Sequence, residues 1–362
     1  MQKFVVGGAV RDKVLGLKPN DFDYVVIGAT PEDMLAAGYK RVGKDFPVFL
    51  DDNGYEHALA RKEIKTGPKH TDFVFDFGPH VTLEEDVERR DFTCNALVYD
   101  EKNKKIIDLV GGLNDIKSHI LRHVNSAHFG EDPLRVLRMC RFAAQLDFTI
   151  APETMALARQ MVAGNMLAHL TKERIWKEFE KALNTPHFNI FIDAMNACNA
   201  LSAVLPDINT AALNFSYPET DISPVIKFAL WTYSQSITDI DYICKKINVP
   251  NEYRHLALLL KNHTATAQIY PQLLPQQKVQ FLTDICQLKS LPILEDFLCA
   301  ADILSALGNT RAQCLKDFAL IAPIKASDIP NFDVLPKGPE ISKALFDYRA
   351  KLLESNCPVK QS

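Results

Sequence analysis

No uninterrupted apolar run in this chain approaches the length needed to cross a bilayer, and no segment is repeated or low in complexity. A membrane role therefore finds no support, and the fold is not an array of repeats. Cysteine is present eight times but scattered, with no CxxC pair and no Cys/His spacing of the zinc type. These thiols read as small buried apolar residues in a reducing compartment. Basic charge is not in excess either: 41 Lys and Arg face 45 Asp and Glu, a net of −4. Overall charge gives no nucleic-acid footprint, so any RNA-binding surface has to be a local patch. The N-terminus, Met1 to Gly8, lacks the charged start, apolar stretch and small-residue cleavage site of a signal peptide. It reads as the first strand of a fold, and the expected location is the cytoplasm.

What the 362 residues do contain is a soluble globular composition, 47% hydrophobic and 24% charged, long enough for two or three domains. Up to about residue 108, short β-branched or aromatic runs alternate with turns and short helices. Expected strands are Lys3–Val6, Tyr24–Ile27, Val48–Leu50, His57–Ala60, Phe73–Phe77 and Lys105–Asp108. Thr30 followed by Pro31 predicts a helix over 31–38, and Thr82 with Glu85 has the spacing of a capping box. Past residue 110 the strand signals nearly vanish. Amphipathic periods take over at Asp132–Ala144, Thr154–Ala163, Lys172–Leu183 and Ile190–Ala197. Pro206, Pro218 and Pro224 mark a further boundary. The expected class is α+β: a small mixed-sheet head over 1–110, a helical neck over 111–210, and a helical body and tail over 211–362, the last residues, Ser355 to Ser362, frayed.

Chemistry concentrates at the N-terminus. A strand runs into Gly7-Gly8-Ala9-Val10-Arg11-Asp12, a helical run follows, and then comes Asp21-Phe22-Asp23-Tyr24-Val25-Val26-Ile27. Glycines between strand and helix let backbone N–H groups approach a polyphosphate, and a helix start favours negative charge. Arg11, one turn in, is placed to clamp a phosphate. With a period of two, Asp21 and Asp23 are expected on one face of a strand, where two carboxylates attract a hard divalent cation. Taken singly, the glycines suit an ordinary tight turn and the acids a solvated strand edge. The combination is what points to a metal beside a triphosphate cradle.

Three motifs in order, the Gly7–Asp12 segment with Asp21-x-Asp23, then Arg89-Arg90-Asp91-Phe92-Thr93-Cys94-Asn95-Ala96, then Glu131-Asp132-Pro133-Leu134-Arg135, resemble those of the class II tRNA nucleotidyltransferases. These are the bacterial CCA-adding enzymes, which share a polymerase-β-like head with bacterial poly(A) polymerases. The resemblance covers roughly the first 200 residues and continues more weakly beyond. It implies that Asp21 and Asp23 hold Mg²⁺, activating the RNA 3′-hydroxyl for attack on the α-phosphorus of CTP or ATP. It implies nucleotide contacts from Gly8, Arg11 and Arg90, with Asp91 and Asn95 positioning the sugar or a hinge. The partners implied are the acceptor arm and 3′ end of tRNA, with no protein partner. Glu63 is a candidate third acid, although a surface ion pair with Arg61 or Lys62 accounts for it more readily. The segment Thr66–Asp72 corresponds to a loop that in the family helps switch from C to A addition; a plain hairpin loop would look the same.

Asp132, Arg135, Arg138 and Arg141 recur every three residues, so on a helix they spiral slowly along one side. A carboxylate beside a guanidinium matches the amino group and ring nitrogen that cytosine and adenine share. Uracil and guanine present a carbonyl and an N–H there, and each buried mismatch costs about 1–3 kcal/mol. Asp132 and Arg135 are thus expected to read the base, as the resemblance also implies, with Arg138 and Arg141 on phosphates or helix packing. A salt-bridged helix surface has the same spacing. Arg174 and Glu178, four apart in a neck helix, are expected to stabilise that helix or its packing, and Trp176 to be core. Lys102, Lys104, Lys105, Lys117, Arg122, Lys172, Lys177 and Lys181 are candidates for a basic track, or for solvated faces. Some relatives carry a C-terminal HD domain, but no His-Asp dipeptide occurs here, so no phosphohydrolase activity is expected and His255 and His263 read as surface or packing residues. A poly(A) polymerase, or an RNA-binding module without turnover, would share much of this pattern.

Overall fold

The computed structural model describes residues 1–19, 21–42, 48–65, 73–210, 213, 222–330, 332 and 338–356, with the backbone alone at 63–65 and 73–75. It divides into two compact units, Met1–Thr210 and Ala211–Ser362.

The first unit opens with β1 (Gln2–Val6), α1 (Gly8–Val14), β2 (Asp23–Ile27), α2 (Pro31–Ala36), β3 (Lys40–Val42), β4 (Val48–Leu50) and β5 (Glu56–Leu59). A hairpin of β6 (Arg61–Lys65) and β7 (Phe73–Phe77) follows, then α3 (Leu83–Glu88), β8 (Val98–Asp100) and β9 (Lys105–Ile107). Seven strands form one sheet in the order β3-β4-β5-β2-β1-β8-β9; β2 and β5 run parallel and the other neighbours antiparallel. Alternation sorts the side chains onto two faces. Phe4, Val6 and Val25 pack with Val81, Val87, Ala96 and Val98 on one side. Val26, Phe49 and Leu59 pack with Met34 of α2 on the other. Capping boxes at Thr30 with Asp33 and at Thr82 with Glu85 start α2 and α3, as their spacing predicts.

Strands β3 and β6 carry little sequence signal of their own, and β8, Val98-Tyr99-Asp100, carries a short one and is absent from the expected strands. Lys40, Arg41, Arg61 and Lys62 are long charged residues, and what makes these segments strands is the ladder on their neighbours. The segment 66–72 and the Glu63 side chain lie outside the described residues.

The rest of this unit is helical: α4 (Gly112–Lys117), α5 (Ser126–Glu131), α6 (Leu134–Leu146), α7 (Pro152–Ala163), α8 (Lys172–Leu183), α9 (Phe188–Ala197) and α10 (Ala200–Val204), with one two-residue parallel pair, β10 (Ile120–Leu121) and β11 (Thr149–Ile150). Helix α6 packs on α8 and α9, burying Phe179, Phe188 and Phe191. Trp176 is core, as expected. Each fully buried apolar side chain of this size contributes about 1.5–3 kcal/mol.

The second unit holds α11 (Pro224–Thr232), α12 (Ile237–Ile247), α13 (Asn251–Gln268), α14 (Pro275–Cys286), α15 (Leu291–Ser305), α16 (Thr310–Ile321) and α17 (Pro339–Ser355). Helix α13 packs on α11, α12 and α15 around Phe228, Trp231, Tyr253 and Phe297, and α14 on α17. The Trp231 Nε1 donates to the Leu213 carbonyl at 3.2 Å. His255 is exposed, and His263 sits edge-on to Phe281. Of the seven described cysteines, all unbonded, six are buried and Cys299 is half-buried. Among the described residues no helix is long and apolar enough to cross a membrane.

One glycine ties α4 to the Arg89–Ala96 segment. A β-carbon at Gly112 would stand 2.2 Å from the Thr93 carbonyl oxygen, and Thr93 is itself held by Asp115 through its hydroxyl at 2.7 Å. Gly112→Ala is expected to destabilise the protein by about 1–3 kcal/mol, read as a lower urea midpoint. Gly130→Ala, where a β-carbon meets nothing within 4 Å, should leave the midpoint unchanged or raise it.

Candidate active site

Strand β1 delivers the chain to Gly7 at φ 75° and ψ −139°, a conformation that side chains with a β-carbon rarely adopt. The Gly7 N–H donates to the Leu97 carbonyl at 3.2 Å, and its own carbonyl accepts from Val10 and Arg11 as α1 begins. A β-carbon on Gly7 would lie 3.6 Å from the Arg90 guanidinium, so the missing side chain leaves room beside that arginine. Helix α1 has only seven residues. Positive charge here comes chiefly from side chains.

The antiparallel register Val6↔Asp23 sets Asp23 next to the end of β1, one residue before Gly7. The strand starts at Asp23, so the period-two reasoning does not extend to Asp21, which precedes the ladder. Both acids nonetheless line one cavity with Gly7 and Gly8. Burial raises the Asp23 carboxyl above its ordinary value, Arg90 opposes the rise and Asp21 adds to it. Among the described residues no cluster of three or more His, Cys, Asp or Glu side chains is placed to hold a metal, and Asp21 and Asp23 stand as a pair.

Around them the cavity, of about 1070 Å³, gathers nine cationic side chains (Arg11, Arg61, Arg89, Arg90, Arg135, Arg138, Arg141, Arg174 and Lys181) against five aspartates. Its lining is positive although the chain is negative. Most of these arginines are held by named acceptors. Asp86, fully buried at the end of α3, accepts from Arg89 at 2.6 and 3.0 Å and from Arg90 at 2.9 Å. Burial would raise the Asp86 carboxyl, but the two guanidiniums outweigh it and keep it below the usual carboxylate range. Asp91 is paired with Arg138 and accepts from Asn95 at 3.3 Å, and Asn95 in turn accepts from Arg11 at 2.5 Å. Arg141 pairs with Glu178 at 2.5 Å, both groups buried. Arg11, Arg138 and Arg141 surround the Phe142 ring, the last at 3.8 Å.

The expected base-reading stripe needs correcting. Helix α6 begins at Leu134, so Asp132 lies before it in extended backbone, where Pro133 ends the preceding turn and the Asp132 carboxylate caps the Leu134 N–H at 3.0 Å. Asp132 also accepts from Arg174 at 3.0 and 3.2 Å, and Arg135 donates to the Arg89 carbonyl at 2.7 Å. Arg138 and Arg141 are committed to Asp91 and Glu178. Arg174 and Glu178 therefore pack α8 onto the α6 region, each with its own partner. Of the candidate basic track only Lys181 lines the cavity; Arg122 is paired with Asp115 and Glu153. Sequence reasoning missed Asp86, although Asp86-x-x-Arg89-Arg90 has the i, i+3, i+4 spacing of partners on one helical turn.

Residues 3–122 match the family described as Poly A polymerase head domain, and residues 147–211 match the Probable RNA and SrmB-binding site of polymerase A. Together the matches span a little over half of the chain. This chain belongs to the poly A polymerase family of nucleotidyltransferases. Among solved structures it is similar to the Bacillus stearothermophilus CCA-adding enzyme in complex with CTP, at 25% identity, 98% coverage of this chain, 89% of that one and a TM-score of 0.70. It has the fold of the Thermotoga maritima CCA-adding enzyme complexed with tRNA (19% identity, 98% and 88% covered, TM-score 0.67) and of an apo CCA-adding enzyme (21%, 98% and 90%, 0.69).

Replacing Asp86 by Asn in this nucleotidyltransferase strands two mostly buried guanidiniums, and about 3–5 kcal/mol of stability should be lost by chemical denaturation at pH 7. The sign of the pH dependence follows from the lowered carboxyl. The difference between wild type and Asp86→Asn is present above the unfolded value, about 3.9, and shrinks as pH falls through the lower folded one.

Proposed function

We propose that this chain adds CMP, CMP and AMP, from CTP and ATP, to the 3′ end of tRNA, forming or repairing the CCA terminus with release of pyrophosphate. One observation carries the reading: Asp132 and Arg135 open into the same cavity as Asp21, Asp23, Gly7 and Gly8. A base-reading edge and a carboxylate pair thus serve one bound nucleotide. The structural likeness extends over 85–88% of the length of enzymes solved with CTP, with ATP and with tRNA.

In this reading Gly8, Arg11 and Arg90, all on the cavity lining, hold the nucleotide. Asp21 and Asp23 supply hard oxygen donors on one wall, a set that fits Mg²⁺ better than a softer ion. When bound, Mg²⁺ neutralises triphosphate charge and favours ionisation of the RNA 3′-hydroxyl. Asp132 accepts from the amino group of cytosine or adenine, and Arg135 donates to the adjacent ring nitrogen. Arg174 fixes the Asp132 carboxylate, while Arg138 and Arg141 hold α6 in place through Asp91 and Glu178. Residues 1–110 act as the catalytic head, 111–210 as the base-reading neck and 211–362 as the tRNA-binding body and tail, working in the cytoplasm.

Purified protein incubated with tRNA lacking its CCA end should add two C and one A and then stop when given CTP and ATP together. With ATP alone it should add a single A to tRNA ending in CC. Long A tracts would instead establish a poly(A) polymerase. Asp21→Ala should abolish incorporation with RNA binding retained. Asp132→Ala should relax discrimination against UTP and GTP by about 1–3 kcal/mol, roughly 5–150-fold, in kcat/KM.

A further inference from the structure

The two acids alternate along the chain with rings: Asp21, Phe22, Asp23, Tyr24. Asp23 shares the sheet face of Val6 and Val25, so Tyr24 projects to the opposite face. There the parallel register Tyr24↔His57 lays the Tyr24 ring flat on the imidazole, with centroids 4.4 Å apart and planes at 15°. Tyr55, just before β5, meets both intervening rings: Phe22 edge-on at 5.9 Å and Tyr24 at 6.3 Å.

This cluster is anchored below. The Tyr55 N–H donates to the Asp51 carboxylate at 2.9 Å, and the other Asp51 oxygen lies 3.3 Å from the buried His57 Nε2. Tyr39 closes the imidazole edge at 4.8 Å. Asp21 precedes β2 and has no ladder partner of its own. What fixes its stretch of chain is the neighbouring Phe22 ring on Tyr55.

We infer that Tyr55 is a positioning residue: its ring seats Phe22 and Tyr24 on the back of the sheet and thereby sets how Asp21 and Asp23 meet on the front. The inference rests on the metal role proposed for those two acids. It makes the Tyr55 ring, rather than its hydroxyl, the part that matters, and it separates metal binding from nucleotide binding, since Tyr55 lines no part of the cavity.

Mn²⁺ titrated into the full chain with CTP bound and RNA absent, followed by electron paramagnetic resonance of the free ion, tests this. Tyr55→Ala should bind Mn²⁺ about tenfold more weakly, the lower end of what loss of an outer support costs. Tyr55→Phe should stay within about twofold of wild type, and CTP affinity in EDTA should be the same in all three. Tyr55 is 39% exposed, so truncation is tolerable; should Tyr55→Ala not fold, Phe22→Leu takes its place with the same expected weakening. Unchanged Mn²⁺ affinity in the truncated variant overturns the inference. So does an equal loss in Tyr55→Phe, or a parallel fall in CTP affinity in EDTA. Asp21→Asn separates the two levels: if it binds Mn²⁺ like wild type, the metal assignment itself fails, whatever Tyr55 does.

Discussion

Eight guanidinium groups around a single cavity repel one another, and the site depends on the carboxylates that hold them apart. Asp86 carries Arg89 and Arg90, Asp91 carries Arg138, Glu178 carries Arg141, and Asp132 carries Arg174. Asp86, Asp91 and Glu178 are buried, where an unpaired charge is costly and a paired one has few alternative positions. The arginines are therefore organised before any ligand arrives. An anion entering the cavity meets donors already oriented, which lowers the ordering cost of binding it.

The sheet does the matching work for the acids. Pairing β1 with β2 puts the glycine turn at the end of one strand beside the carboxylate at the start of the other. A register slip of one residue would send Asp23 to the face of Met34 and Phe49, into an apolar layer. The hydrophobic alternation of Phe4, Val6 and Val25 thus fixes the polar site as well as the core.

Much of this was legible in the residues. The capping boxes, the β1 and β2 strands and the helices α7 and α8 follow from local spacing, and the three motifs pointed to one family. Asp132 was misplaced because a period of three was extended through Pro133, whose presence ends one helix before the next begins. Arg138 and Arg141 offered two readings because spacing reports a shared face but not what lies opposite. Their partners, Asp91 and Glu178, are 47 and 37 residues away in the chain. Strands such as Lys40–Val42 and Arg61–Lys65 were invisible for the same reason: their identity resides in neighbours distant in sequence. Asp86 was readable from its own turn, since Arg89 and Arg90 stand at helical spacing.

The contrast between a cationic cavity and a chain of net charge −4 has a consequence for traffic. The attraction at the mouth is one that the chain's overall charge does not provide, and only a segment narrow enough to enter gains it in full. Beyond a Debye length of about 8 Å at physiological salt that attraction is largely screened, so it acts on what has already reached the opening. A free terminus is thin enough to enter where a duplex is not, so the charge of the cavity favours engagement of ends.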